Sequence, residues 1–576
     1  MRAPALLLLL AAAAAVQMRY VSTAVVPAQD AVDAVSVAQR MAREGPAATI
    51  RAEPVPPLFP AVVAAAHAGL NAAGLLGPDD WAWAAQTAAA AALVLIVVPL
   101  YLTVRRLAGP AAALAAPLLL LVLPEFARLG ADGLGDGWHL LFVAWGLWFL
   151  TTALPRGTDD RTAPPLRRLP RPPTPEVDLA ALFPWWSAGT CFGLALLVRA
   201  EVLSIVVALG VVAGVAAVRN RRGEARRTGA DPRQPSGVAR GMALASGAVV
   251  CLLPYVAAGI VEPGAWGVRL RGGAAPREER PLNDLGSRDV ADAVRTNVVG
   301  DSTPAFGRKD PTRSSRFQGL VAAGIEFVRE SGHATGYVVL PLAMVGLLVL
   351  DRRVRSAGDV DLRPALGFLG VLPVVHAAAT FAVAWRVGYL SGRHFAVPVY
   401  ALLPPAAVGA VACLASVGRA IGETKFGRVL PRTTSPPVAA AACGLLAILA
   451  VVAAAPAPHA SQAAHRRAAD WLRSPAALPG AVLDQQGWTA LFTGRTTYRF
   501  DAAPRALADP RLAYVVVERG DVDAPSPRGA ALRAVFGTAD RAVVAFPADR
   551  RRTERDVLIF RRPPVEVAHR EKLHAR

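Results

Sequence analysis

Apolar residues gather along this chain into runs of about 15–25, separated by short polar stretches, and that length is what one helix needs to cross a bilayer core of about 30 Å. Such runs lie near residues 4–24, 81–104, 110–125, 137–154, 184–199, 201–218, 241–262, 335–350, 364–385, 395–417 and 437–455, so the pattern predicts about eleven spans. The uninterrupted stretch 183–218 is too long for one upright span, since a helix of that length would rise about 50 Å. It reads as two short helices whose shared tip, "LVRAEVL", lies below the membrane surface, where Arg199 and Glu201 need a wet cavity. After Pro456 the pattern changes: "AAHRRAADWLRS" has helical periodicity, and the short runs "GAVLDQ", "LAYVVVERG", "RAVVAFPA" and "DVLIFRR" read as strands. The predicted architecture is therefore a polytopic α-helical membrane region, residues 1–455, followed by a small α/β domain over 456–576.

Charge supplies the orientation. Arg105 and Arg106, Arg167 with Arg168 and Arg171, Arg219 through Arg227, Arg352 with Arg353 and Arg355, and Arg419 through Arg432 all fall on one side under this span count. Positive loops mark the cytoplasmic side. The first outer loop (25–80), the loops at 126–136 and 386–394, the long loop 263–333 and the C-terminal domain then face outward. The +19 formal charge of the 576 residues thus reports topology, and no nucleic-acid partner is expected. Cys191, Cys251, Cys413 and Cys443 lie inside apolar runs with no CxxC spacing, which indicates neither a disulfide framework nor a zinc site. Residues 1–20 have the short apolar core of a signal peptide but lack a convincing cleavage site, so an uncleaved first helix is expected.

The first outer loop carries the most informative polar pattern. Behind Pro27, "AQDAVDAVSVAQRMAREG" places Asp30, Asp33 and Val37 on one helical face, while Val32, Val35, Ala38 and Ala42 can meet lipid or protein. Such a helix suits the plane of the interface. Asp30 is equally placed to serve as an N-cap or a first-turn acid. Prolines 54, 56, 57 and 60 then stiffen the chain before a second amphipathic stretch.

These residues carry a resemblance. The order of a first span, "QDAVDAVSVAQRMAREG", "EPVPPLFPAVVAA" and a paired Arg after the second span is similar to the polyprenyl-phosphate-dependent glycosyltransferases of family 39. That group is related to the dolichyl-phosphate-mannose protein mannosyltransferases and the lipid A aminoarabinose transferase, and has the GT-C fold. "LGADGLGDGWHLLFVAWGL" resembles the family's second outer loop, "LALLVRAEVLSIV" its Leu-x-Arg-x-Glu segment, and "YLSGRHFAVPVYALLPPAAVGA" its late Arg-bearing span start. The resemblance covers about 430 residues in the family's order.

It implies inverting transfer of a sugar from a polyprenyl-phosphate donor to a protein, lipid or glycan acceptor, at the outer face of a bacterial-type plasma membrane. Asp30 matches the family's general base, although Ala31 stands where Glu often follows it. Val55 replaces a lysine often found at the lipid-phosphate contact, so Arg199, Arg393 or His394 would hold the phosphate. Asp136, rather than Asp132, matches the acid of the second outer loop and is the second candidate catalytic residue. Asp33, Glu53, His139, Glu201 and Tyr389 complete the candidate substrate-binding set. Each has a plainer role available: helix capping for Asp136, a structural ion pair for Arg199 with Glu201, interfacial anchoring for Arg393 and His394, a solvated acid for Glu53. No cofactor is implied beyond the donor lipid. A divalent metal at the phosphate stays open, because two separated aspartates do not define a ligand set.

The main alternative is a multi-span transporter or lipid-linked sugar flippase. Such proteins tend to carry ionisable residues near mid-membrane and internal symmetry, whereas the acids here cluster at outer loop starts and no repeat of fixed period is found. A membrane anchor for the C-terminal domain would need only one span, and 456–576 shows no obvious nucleophile and base pair.

Overall fold

The computed structural model describes residues 3–52, 56–77, 79–153, 179–199, 204–212, 237–259, 316–357, 363–387, 390–422, 457–525, 527–548 and 553–562. The membrane region begins with α1 (Ala3–Thr23), α2 (Gln29–Glu44), α3 (Pro46–Ala52), α4 (Leu58–Ala72), α5 (Trp81–Leu95) and α6 (Val97–Ala108). It continues with α7 (Pro110–Val122), α8 (Pro124–Asp132), α9 (Asp136–Ala153), α10 (Leu179–Leu196) and α11 (Gly237–Gly259). Then follow α12 (Arg316–Thr335), α13 (Val339–Ala357), α14 (Arg363–Val387) and α15 (Ala396–Gly422). Among the described residues five helices are long and apolar enough to cross a membrane, or up to seven if each of two bent pairs is one span. The expected spans near 201–218 and 437–455 lie partly and wholly outside the described residues.

Both bent pairs have a local cause. Between α7 and α8 the axis turns by 62°, where Pro124 offers no N–H to continue the ladder and Leu123 is extended. Between α12 and α13 it turns by 74° through Gly336 and Tyr337, both left-handed. The run predicted as one span over 335–350 is therefore the second arm of an angled pair. The stretch from 183 divides as its length requires: α10 ends at Leu196, and helix resumes over 204–212.

The bundle is held by a continuous apolar core in which Ala13, Ile96, Leu100, Val104, Leu140, Val143, Leu372 and Leu403 are fully buried. Two crossings depend on small residues. A Cβ at Gly346 on α13 would run into the carbonyl oxygen of Pro405 on α15, and one at Gly409 into that of Leu342. Gly189 on α10 meets Leu244 of α11 in the same way. Bare backbone lets these helices approach closely, which is how helices associate where lipid is as apolar as their side chains.

The C-terminal region contains α16 (Ala463–Arg473), β1 (Ala481–Asp484), α17 (Trp488–Thr493), β2 (Thr497–Tyr498), β3 (Leu512–Glu518), β4 (Val544–Phe546) and β5 (Val557–Arg561). The sheet order is β2-β1-β3-β5-β4. β1 is parallel to both β2 and β3, and β5 runs antiparallel between β3 and β4. Alternation decides the two faces. Val482, Tyr514, Val516, Val557 and Ile559 pack against Ala464, Ala468 and Leu472 of α16. Leu483, Val515, Val517, Leu558 and Phe560 turn to a second core on the other face.

Candidate active site

Asp30 stands in the first turn of α2, behind Ala28, whose extended backbone ends the helix without any side-chain cap. The Asp30 carboxylate instead accepts from a distant side chain. It is 60% exposed and ion-paired with Arg393 Nη2, whose own side chain is only 18% exposed. Val37 departs from the face read in the sequence. It is buried with Val32, Val35, Ala38 and Met41, leaving the aspartates on the outer side of α2; Val37 shares the angular face of Asp30 but lies about two turns further along the helix.

Arg393 lies on a short 3-10 turn, Gly392–Phe395, that feeds directly into α15. Ser391 caps this turn, and its backbone N–H donates to His394 Nδ1 at 3.2 Å. The His394 ring is thus engaged in the turn that presents Arg393. From outside, His376 on α14 places Nε2 at 3.0 Å from the His394 carbonyl oxygen. A carbonyl only accepts, so His376 carries its proton on Nε2, and its Nδ1 accepts from Ser204 Oγ at 2.7 Å when the ring is neutral. Ser204 begins the helical stretch 204–212, so this buried pair joins the turn of Arg393 to the segment that follows Arg199 in sequence.

The second acid, Asp136, opens α9. It is ion-paired with Arg199, and the side chains are 6% and 23% exposed respectively. Arg199 follows the last turn of α10, its backbone N–H donating to Ala195 O at 2.9 Å. That same carbonyl lies 3.2 Å from His139 Nδ1, so buried His139 ties α9 to α10. The preceding loop is tightly packed: a Cβ at Gly135 would lie 3.0 Å from Val198 and 3.1 Å from Phe59. Asp30, Asp136 and Arg199 all act electrostatically on Arg393, so two acids and two cations form one cluster.

The remaining candidates divide. Asp33 pairs with Arg499 of the C-terminal domain. Asp132 accepts from His459 Nε2 at 2.8 Å and sits 3.5 Å from Arg128. Glu53, Glu201 and Tyr389 lie outside the described residues. His376, Ser204 and His459 escaped the sequence reading, because an isolated His or Ser in an apolar run or after a linker carries no periodic signal. Among the described residues no group of three or more His, Cys, Asp or Glu side chains could hold a metal ion.

Two comparisons bear on this arrangement. Residues 64–160 match the family model described as dolichyl-phosphate-mannose-protein mannosyltransferase, a segment that includes Asp136 and His139. The chain is similar in structure to ArnT from Cupriavidus metallidurans in the apo state, at 15% identity and a TM-score of 0.53, covering 96% of this chain and 97% of that one. The same enzyme bound to undecaprenyl phosphate matches at 14% identity and a TM-score of 0.51, covering 98% and 99%. The Archaeoglobus fulgidus oligosaccharyltransferase in its apo form follows at 12% identity and a TM-score of 0.45, over 89% of this chain and 69% of that one. No curated protein matches by sequence. The fold is that of the GT-C membrane glycosyltransferases. Within that class, the matched segment bears out the resemblance to the family-39 mannosyltransferase-like enzymes.

Proposed function

We propose that this chain is a membrane glycosyltransferase that moves a sugar from a polyprenyl-phosphate donor to an acceptor hydroxyl, with inversion, at the outer face of a bacterial-type plasma membrane. The observation that carries the reading is the unequal exposure of one ion pair: Asp30 faces solvent while its partner Arg393 is mostly buried. A water-soluble acceptor can reach the carboxylate, and Arg393 is the cation beside it for the phosphate of the donor. The undecaprenyl phosphate bound by ArnT is a ligand of this chemical class.

In the resting cluster both cations are spent on aspartates. A donor phosphate arriving at Arg393 and Arg199 competes for the same guanidinium N–H groups and offers bidentate geometry. Engagement of Arg393 by phosphate frees the Asp30 carboxylate at the moment when a base is needed. Asp30 then accepts the proton of the acceptor hydroxyl as its oxygen attacks the anomeric carbon on the side opposite the phosphate. The bond between that carbon and the phosphate oxygen breaks, its electron pair leaves with the phosphate, and the two guanidinium groups stabilise the charge. Asp136 keeps Arg199 aimed at the same place.

The test is sugar transfer from a radiolabelled polyprenyl-phosphate sugar by the purified protein in detergent, native against Asp30→Asn. Loss of transfer with donor binding retained is the expected result. A native protein that neither binds nor consumes such a lipid would overturn the proposal and leave transport as the leading reading.

A further inference from the structure

Open α/β sheets take ligands in the crevice outside the carboxyl ends of parallel strands, where the chain passes to one side of a strand and then the other. Here that strand is β1, with β2 on one flank and β3 on the other. The residues at its carboxyl end are held in a tight turn. Asp484 is fully buried and accepts from Thr489 N at 2.6 Å and Gln486 N at 3.0 Å, while Gly487 adopts φ +78°.

This edge does not face solvent, because α2 occupies it. Gly487 lies against Val32, where a Cβ would approach to 3.1 Å. Buried Trp488 donates its indole Nε1–H to the carbonyl oxygen of Pro27 at 3.1 Å. Trp488, Leu491 and Phe492 share an apolar cluster with Val26, Val32, Val35 and Ala38. Arg499, just beyond β2, pairs with Asp33. A second grip comes from the start of the domain: Pro458 O accepts from Val25 N at 3.3 Å, and His459 holds Asp132, whose carbonyl oxygen accepts from Ala28 N at 3.0 Å. Val25, Pro27 and Ala28, the residues that lead into Asp30, therefore have backbone groups tied directly or through Asp132 to the C-terminal domain.

We infer that the C-terminal α/β domain is the positioning element for the base, its ligand-type sheet edge closed on the enzyme's own helix α2, with Trp488 as the central positioning residue. The inference rests on Asp30 acting as the base. α2 has no side-chain cap at its start, so the place of its first turn is set by these tertiary ties rather than by the helix itself. The domain's ties fall on the segment that carries Asp30, on the acceptor side of the cluster.

The test uses the full chain carrying Trp488→Phe, which keeps an aromatic ring and removes the N–H donor. Amide hydrogen exchange over residues 31–38 should quicken by about tenfold, the loss expected of one buried hydrogen bond. kcat should fall while donor KM stays within a factor of about two. Arg499→Glu should shift exchange and kcat in the same direction, and Asp33→Arg combined with it should restore the exchange protection by reversing the pair. Unchanged exchange in α2 for both single variants, or equal losses in kcat and donor binding, would overturn the inference. Because exchange is read without any substrate, failure of the positioning role is distinguishable from failure of the glycosyltransferase reading.

Discussion

Replacing Asp136 by Asn isolates one half of the charge cluster. The Asp136 side chain is 6% exposed and bonds an Arg199 that is 23% exposed, so the substitution removes a carboxylate facing a cation that is mostly withdrawn from water. Breaking a fully buried pair costs about 3–5 kcal/mol. Taking the low end of that range and discounting it for the quarter of Arg199 that water still reaches gives about 2 kcal/mol. At 1.4 kcal/mol per factor of ten, that is roughly a thirtyfold shift in the folding equilibrium, read as a lowered unfolding midpoint in detergent. Transfer from a labelled polyprenyl-phosphate sugar should fall at least as far, since Arg199 is no longer held toward the phosphate. The informative control is Asp136→Leu with Arg199→Met. Removing both charges together should recover most of the stability, because a buried pair replaced by apolar groups is often neutral or better, yet transfer should stay lost. An Asp136→Asn protein with native stability and native transfer would refute the reasoning, and so would an active double variant.

The hydrogen bond from His376 to the His394 carbonyl oxygen predicts that His376→Leu raises donor KM by about five- to tenfold through a loosened Arg393 turn, with a smaller change in kcat; steady-state kinetics with varied donor decides. Gly409→Leu, which drives a side chain into the backbone of α13, should cost about 1–3 kcal/mol and lower the unfolding midpoint, whereas Gly241→Leu, with nothing near its Cβ, should not. In the C-terminal domain Asp509 accepts from the Arg511 side chain and from the Tyr498 hydroxyl at 2.6 Å, which together hold its carboxyl well below the usual carboxylate range. A depressed folded-state pKa contributes stability above the unfolded value near 4 and loses it as pH falls through the folded one. Asp509→Asn should therefore flatten the acid limb of stability, measured by circular dichroism, and leave the neutral region nearly parallel to the native curve.

Much of the molecule was legible from residue order because the signals are local. Helix α2 follows from Pro27 and the spacing of its valines, and the division after Leu196 follows from length against bilayer thickness. Strands β1, β3, β4 and β5 fall within the short apolar runs after Pro456. β2 went unseen because its two residues, Thr497 and Tyr498, are too few to show alternation. The angle between α12 and α13 was missed for a related reason: hydropathy averages over a turn at Gly336 and Tyr337 that only backbone dihedrals reveal.

What the amino-acid order determined alone is the membrane class, the basic loops, the C-terminal α/β region and a short set of candidate acids and cations. Each depends on composition or on neighbours within a few turns, where one dimension suffices. What only the tertiary structure decided is which acid meets which cation. Arg393 joins Asp30 across 363 positions, and Arg199 joins Asp136 across 63. Asp33, on the same helix face as Asp30, turns instead to Arg499. An ion pair has no sequence period: its partners are set by where helix ends arrive after the apolar cores have packed, so the cluster's charge pattern exists only in the folded chain.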